Sequence, residues 1–81
     1  MNARTYEHSG RQVEAMRFVG NGPDIAAWAG PVAQAFGTGL IGGLIVAGNR
    51  VACGDWVTKS AEVAEIVPQE QFVHGYREVR A

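Results

Sequence analysis

Residues 25 to 49 carry no charged side chain, and this stretch limits the folds open to the 81-residue chain more than any other feature. An uncharged run of that length could cross a hydrocarbon layer of about 30 Å. Gly30, Gly37, Gly39, Gly42, Gly43 and Gly48, together with Pro31, argue against it. They would leave backbone polar groups facing lipid, which offers no replacement hydrogen bonds. The run is therefore expected to supply a buried helix and a buried strand, and neither a membrane span nor a membrane-active segment.

A chain of this size forms one domain, residues 1–81, and buries roughly 60–65% of its unfolded surface. Apolar residues make up 47% of it and charged residues 19%, a balance that favours a folded globule over disorder. Seven Lys and Arg oppose eight Asp and Glu, with no basic block to neutralise a series of phosphates, so nucleic acid is not an expected partner. The single Cys53 cannot close an internal disulfide, and no apolar leader follows a charged N-terminus, which fits a reducing cytoplasm.

Along the chain, residues 1–11 are polar and read as a loose N-terminal arm with a short strand around Tyr6. "QVEAMRFV", 12 to 19, is a strand in which Val13 and Ala15 face one way and Met16 and Phe18 the other, either because both faces are covered or because a bulge switches them. "GNGPD", 20 to 24, opens a helix, with Asn21 or Gly22 as N-cap, Pro23 at the first position and Asp24 in the first turn. Ile25, Trp28, Ala29, Val32, Ala35 and Phe36 continue at helical spacing, which predicts an interrupted helix over 23–36, either kinked at Gly30–Pro31 or split there into two short helices.

"GTGLIGG", 37 to 43, contains G-x-G-x-x-G, but the phosphate-binding form of that pattern follows a strand and opens a helix. Here a strand-like run comes after it, so a turning connection is expected and no nucleotide cofactor. "GLIVA", a tight II′ turn at Gly48–Asn49 and "RVAC" form a hairpin, "WVTKS" and "VAEIV" form another around 60 to 62, and "HGYREV" ends the chain as a strand. Pro68, Phe72 and Tyr76, four apart, predict a helical turn that tucks Phe72 under the sheet. The expected class is α+β: a mostly antiparallel sheet of four to five strands, open or curled toward a barrel, with the interrupted helix on one face.

The order "VEAMRF", a Trp-bearing helix, "LIVA", "GDWV", "AEIVP", then Phe and Tyr four apart, resembles small tailed-phage proteins with a Pro-Gly-Asp-Trp or Pro-Gly-Asp-Tyr signature, often called PGDYG-type proteins. The likeness spans roughly residues 6 to 79 and rests on Gly54, Asp55, Trp56, Pro68, Phe72 and Tyr76. Cys53 stands where that pattern usually has Pro. The resemblance implies a phage origin and a compact α+β fold, and it implies no reaction.

Three residues are candidates for a ligand site: Asp55 and Trp56, a carboxylate beside an indole, and Tyr76. The structural roles open to them are an Asx-type turn for Asp55 and core burial for Trp56. Glu14, within an apolar strand, is expected to face solvent or to pair with Arg17 or Lys59. His8 and His74 lack the further clustered ligands that zinc needs, so no metal is expected. Cys53 with His74 makes no assembled nucleophile, base and oxyanion set, so no catalysis is expected.

The resemblance, together with the absence of a catalytic set, implies a non-enzymatic phage accessory protein that binds a host protein or a small ligand, counter-defence being one purpose. A virion structural or assembly protein is the alternative, placing the chain in the virion instead of the host cytoplasm, and a membrane-active role for the uncharged 25 to 49 segment is the least favoured reading. More apolar sheet residues are present than one short helix can cover, so a homo-oligomer, a dimer or larger, is also expected.

Overall fold

The structure, a computed structural model, describes residues 3–37, 42–60 and 63–79. In chain order the elements are β1 (Arg4–His8), β2 (Arg11–Arg17), α1 (Gly22–Ala29), β3 (Ala33–Phe36), β4 (Gly43–Val46), β5 (Asn49–Arg50), β6 (Trp56–Ser60), β7 (Val63–Val67), α2 (Gln69–Gly75) and β8 (Arg77–Glu78). Five strands form an antiparallel sheet in the order β7-β6-β2-β1-β8. The segment between β2 and β6 contributes α1 and a second antiparallel sheet, β3-β4-β5. The fold is α+β, and the five-stranded sheet is open, not closed into a barrel.

The short strand expected around Tyr6 is β1, and it does not belong to a loose arm: Arg4–His8 lies inside the main sheet, between β2 and β8. Ser9 and Gly10, both at positive φ (52° and 78°), make a two-residue hairpin turn that sets His8 opposite Arg11 and Tyr6 opposite Val13. A turn of that hand matches the twist of the two strands it joins. Pairing on both sides, not intrinsic propensity, makes these polar residues a strand.

β2 alternates without a bulge, so the reading with both faces covered is the one that applies. Met16 (3% exposed) meets one core and Ala15 (2%) meets another on the opposite side. The larger core joins Met16, Phe18 and Val57 of the main sheet region to Ile25 of α1 and to Leu44 and Val46 of β4. Ile25, Leu44, Val46 and Val57 have essentially no exposed surface.

The expected interrupted helix ends early. α1 stops at Gly30, and a turn closed by Ala33 N donating to Gly30 O at 3.0 Å carries Pro31 and Val32 into β3. From there exposure alternates: Ala33 is buried, Gln34 exposed, Ala35 half-buried and Phe36 exposed. The helical spacing of Val32, Ala35 and Phe36 is overridden because Pro31 has no N–H to continue the helix and β4 offers a full ladder of partners. Asn21 takes the N-cap position, but its Oδ1 accepts from Val19 N at 2.8 Å and does not cap α1. Of the glycine-rich 37 to 43 segment, residues 38–41 lie outside the described residues; the strand β3, in place of the expected helix, precedes it, and Gly43 opens another strand, β4.

The β4–β5 turn sits one residue earlier than expected. Val46 pairs with Asn49, leaving Ala47 (φ 51°) and Gly48 (φ 82°) as the two turn residues, a type I′ pattern in place of II′ at Gly48–Asn49. Alanine is poorly suited to that φ, whereas Asn adopts it readily. Ala47→Asn is expected to raise stability by about 0.5–1 kcal/mol, read as a higher denaturant midpoint at unchanged slope.

Candidate functional site

The second face of the main sheet is covered by α2, and the residues of the Gly-Asp-Trp signature are what hold it there. Gly54, at φ 96°, turns the chain into β6; its N donates to Phe18 O at 2.7 Å, and Arg17 Nε donates to Gly54 O at 3.0 Å. Asp55 is thereby aimed at the start of α2, where Oδ1 accepts from Gln69 N at 3.1 Å. That amide is one of the donors a helix cannot satisfy within itself, so Asp55 caps α2 from a distant part of the chain. Trp56 Nε1 donates to Gln69 Oε1 at 2.6 Å, a second tie to the same residue.

Above the sheet the aromatic rings form one continuous stack. Trp56 and Phe72 lie parallel at 3.8 Å between centroids, Phe72 and Tyr76 at 4.6 Å, and Tyr76 and the His8 imidazole at 4.2 Å. Tyr6 meets this stack edge-on, 5.5 Å from Trp56 and 4.8 Å from Phe72. Helical spacing puts Phe72 and Tyr76 on one side of α2, with Phe72 N bonded to Pro68 O and Tyr76 N to Phe72 O. His8 Nδ1 lies 2.8 Å from Gly75 O, which ties β1 to the end of α2. Each aromatic pair adds about 0.5–1.5 kcal/mol beyond its buried area.

The three sequence candidates therefore separate. Asp55 is engaged as a cap and Tyr76 lies inside the stack, whereas Trp56 also walls an open depression. The register explains that depression: Arg4 lies opposite Ala15 on β1, Arg17 follows Ala15 by two on β2, and Trp56 lies opposite Arg17 on β6. The small Ala15 leaves a hollow of about 360 Å³ edged by Arg4, Tyr6, Arg17, Trp56 and the exposed Val19. Tyr6, Arg4 and Arg17 escape sequence reasoning because their placement depends on the β1–β2 register. The Ser9–Gly10 pair is the signal that could have revealed it.

Glu14 is exposed, as expected, and forms no ion pair with Arg17 or Lys59 among the described residues. It lies across from Lys59, accepts from Trp28 Nε1 at 2.9 Å, and Lys59 Nζ donates to Trp28 O at 2.9 Å. The two charges thus clasp Trp28 of α1 from the opposite face of the sheet. No group of three or more His, Cys, Asp or Glu able to hold a metal is found among the described residues. No helix there is long and apolar enough to cross a membrane.

Burial, and secondarily Glu78, push the Tyr6 phenol above its ordinary 10.0, with Arg4 pulling the other way; burial and then Glu65 push Tyr76 in the same direction. The fold thus favours the neutral phenols. The stability they contribute is complete below pH about 10 and falls as pH rises through the raised folded values. Tyr6→Phe is expected to flatten the loss of stability on the alkaline side, measured as denaturant midpoints between about pH 8 and 11. An alkaline slope unchanged in both Tyr6→Phe and Tyr76→Phe would contradict this.

No protein-family model, curated protein or solved structure matches the chain.

Proposed function

We propose that the chain is a non-enzymatic binding protein that acts through the hollow beside Trp56 on the face of the main sheet flanked by α2. The observation that supports this most is the composition of its rim: two guanidinium groups and two aromatic rings around an alanine floor, at the edge of a bonded aromatic stack. Concave sites with aromatic walls and a few polar groups are where small ligands and anchoring side chains bind. The resemblance to phage proteins gives the setting, an accessory protein in an infected bacterial cell with a small ligand or a host protein as target and counter-defence as its purpose.

Native mass spectrometry of the protein as purified from bacterial cells, paired with affinity capture from the same lysate, tests this reading. A retained small-molecule mass, or a stoichiometric protein partner, that is lost in Trp56→Leu while the fold persists is the expected result. A ligand-free protein that captures nothing overturns it. The same spectra read subunit number. Self-association is supported by β7, an edge strand of the main sheet whose Val63 is 59% exposed.

A further inference from the structure

Four hollows on the surface can be compared by the charges that line them. One is lined by Glu14 with Lys59, another by Arg50 with Glu65, and a third by Glu7 with Arg77, so each of these is lined by charges of both signs. The hollow beside Trp56 carries Arg4 and Arg17 and no acidic residue, in a chain whose net charge is -1. The two arginines are diagonal neighbours on adjacent strands, a separation of roughly 7–8 Å, which long side chains easily bridge.

Of these two arginines only Arg4 is met by a carboxylate among the described residues, and that pair is largely exposed. Arg4 makes one 3.3 Å contact with Glu78, and the Arg4 side chain is 68% exposed. Arg17 is half-buried and bonded through Nε to a neutral carbonyl, and it forms no ion pair with a carboxylate among the described residues. A guanidinium withdrawn from water without an opposing charge is unfavourable until an anion meets it. Its terminal N–H groups, with Nε already committed, are the ones left for such an anion. The rings of Tyr6 and Trp56, edge to face at 5.5 Å, bound the same hollow. A flat apolar group is the complement of such walls.

We infer that the hollow binds a small molecule in which a planar ring carries an anionic group, the anion held between Arg4 and Arg17 and the ring against Tyr6 and Trp56. This rests on the binding role proposed above and names its ligand class. Phosphate and carboxylate share the required chemistry, since both accept the paired N–H groups of a guanidinium. A nucleoside monophosphate and an aromatic carboxylate are the two forms to separate.

The chain has two tryptophans, and they provide an internal control. Trp56 walls the hollow, while Trp28 is held by Glu14 on the other side of the sheet. Titration of the full chain is followed through the two indole N–H signals in nitrogen–proton correlation spectra. The probes are adenosine monophosphate, benzoate, adenosine and inorganic phosphate. Saturable movement of the Trp56 signal, with Trp28 still, is expected with the first or second probe, and whichever binds tighter identifies the anion. Adenosine and inorganic phosphate alone are expected to bind at least tenfold more weakly.

Arg17→Gln is expected to weaken the preferred probe by about tenfold or more, the effect of losing one charge-assisted contact. Since Arg17 also braces Gly54, Val19→Glu is the second variant. Val19 is 47% exposed on the rim, so a carboxylate there repels the anion without disturbing the core, and a similar loss of affinity is expected. A Trp56 signal unmoved by every probe overturns the inference, as does inorganic phosphate binding as tightly as the ring-bearing anions. A captured host protein together with a silent Trp56 would remove this ligand class and leave the broader binding role standing.

Discussion

Phe72→Ala is expected to lower the unfolding free energy by about 3–5 kcal/mol, the largest single effect in this chain. Phe72 is 3% exposed and is the middle ring of the stack, parallel to Trp56 on one side and Tyr76 on the other, with Tyr6 against its edge. Removing it opens a cavity and also separates three ring contacts. α2 has only seven residues, too few to persist as an isolated helix, so its place depends on this side chain. A domain this small has about 5–15 kcal/mol of stability to lose, and the variant should lie near the edge of folding. Chemical denaturation measures the loss, and near-ultraviolet circular dichroism should show the Trp56 environment collapsing. A cost near 1 kcal/mol with an intact aromatic spectrum would mean that α2 is held by something other than the stack.

The second large effect concerns Asp55. Asp55→Ala is expected to cost about 1–2 kcal/mol, because Gln69 N loses its acceptor at the start of α2. Asp55→Asn keeps a side-chain oxygen in the same position and should cost only a few tenths of a kcal/mol, in line with the near-equal capping ability of the two residues. The pair separates a cap from a functional carboxylate. If both variants fold with wild-type stability and both lose the ligand, Asp55 belongs to the site; if Ala alone is destabilised and ligand affinity follows only Arg17, it belongs to the scaffold.

The stack also shows how one sequence pattern can carry structural meaning without naming an activity. Gly54-Asp55-Trp56 and Pro68, Phe72, Tyr76 are separated by a strand pair, yet every one of them serves the docking of α2. Their spacing alone predicted a helical turn tucking Phe72 beneath the sheet, since four-residue intervals put side chains on one helix side. The same spacing argument failed for Val32, Ala35 and Phe36, where Pro31 blocks the helix and β4 supplies a ladder. It fails there because periodicity reports which residues share a face only after the backbone conformation has been settled.

By itself the sequence determined the α+β class, the antiparallel pairing of β6 with β7, the start of α1 at the glycine–proline cluster and the burial of Phe72. Each follows from local chemistry: turn residues, β-branched runs, or helical spacing over a few positions. The tertiary structure alone decided that Arg4–His8 is an internal strand, that Ala47–Gly48 is the turn, and that Arg4, Tyr6, Arg17 and Trp56 share one hollow. Those outcomes depend on strand register, and a slip of one residue would send every one of these side chains to the opposite face. Register is fixed by contacts between residues far apart in the chain, which is why the hollow could be read only from the folded molecule.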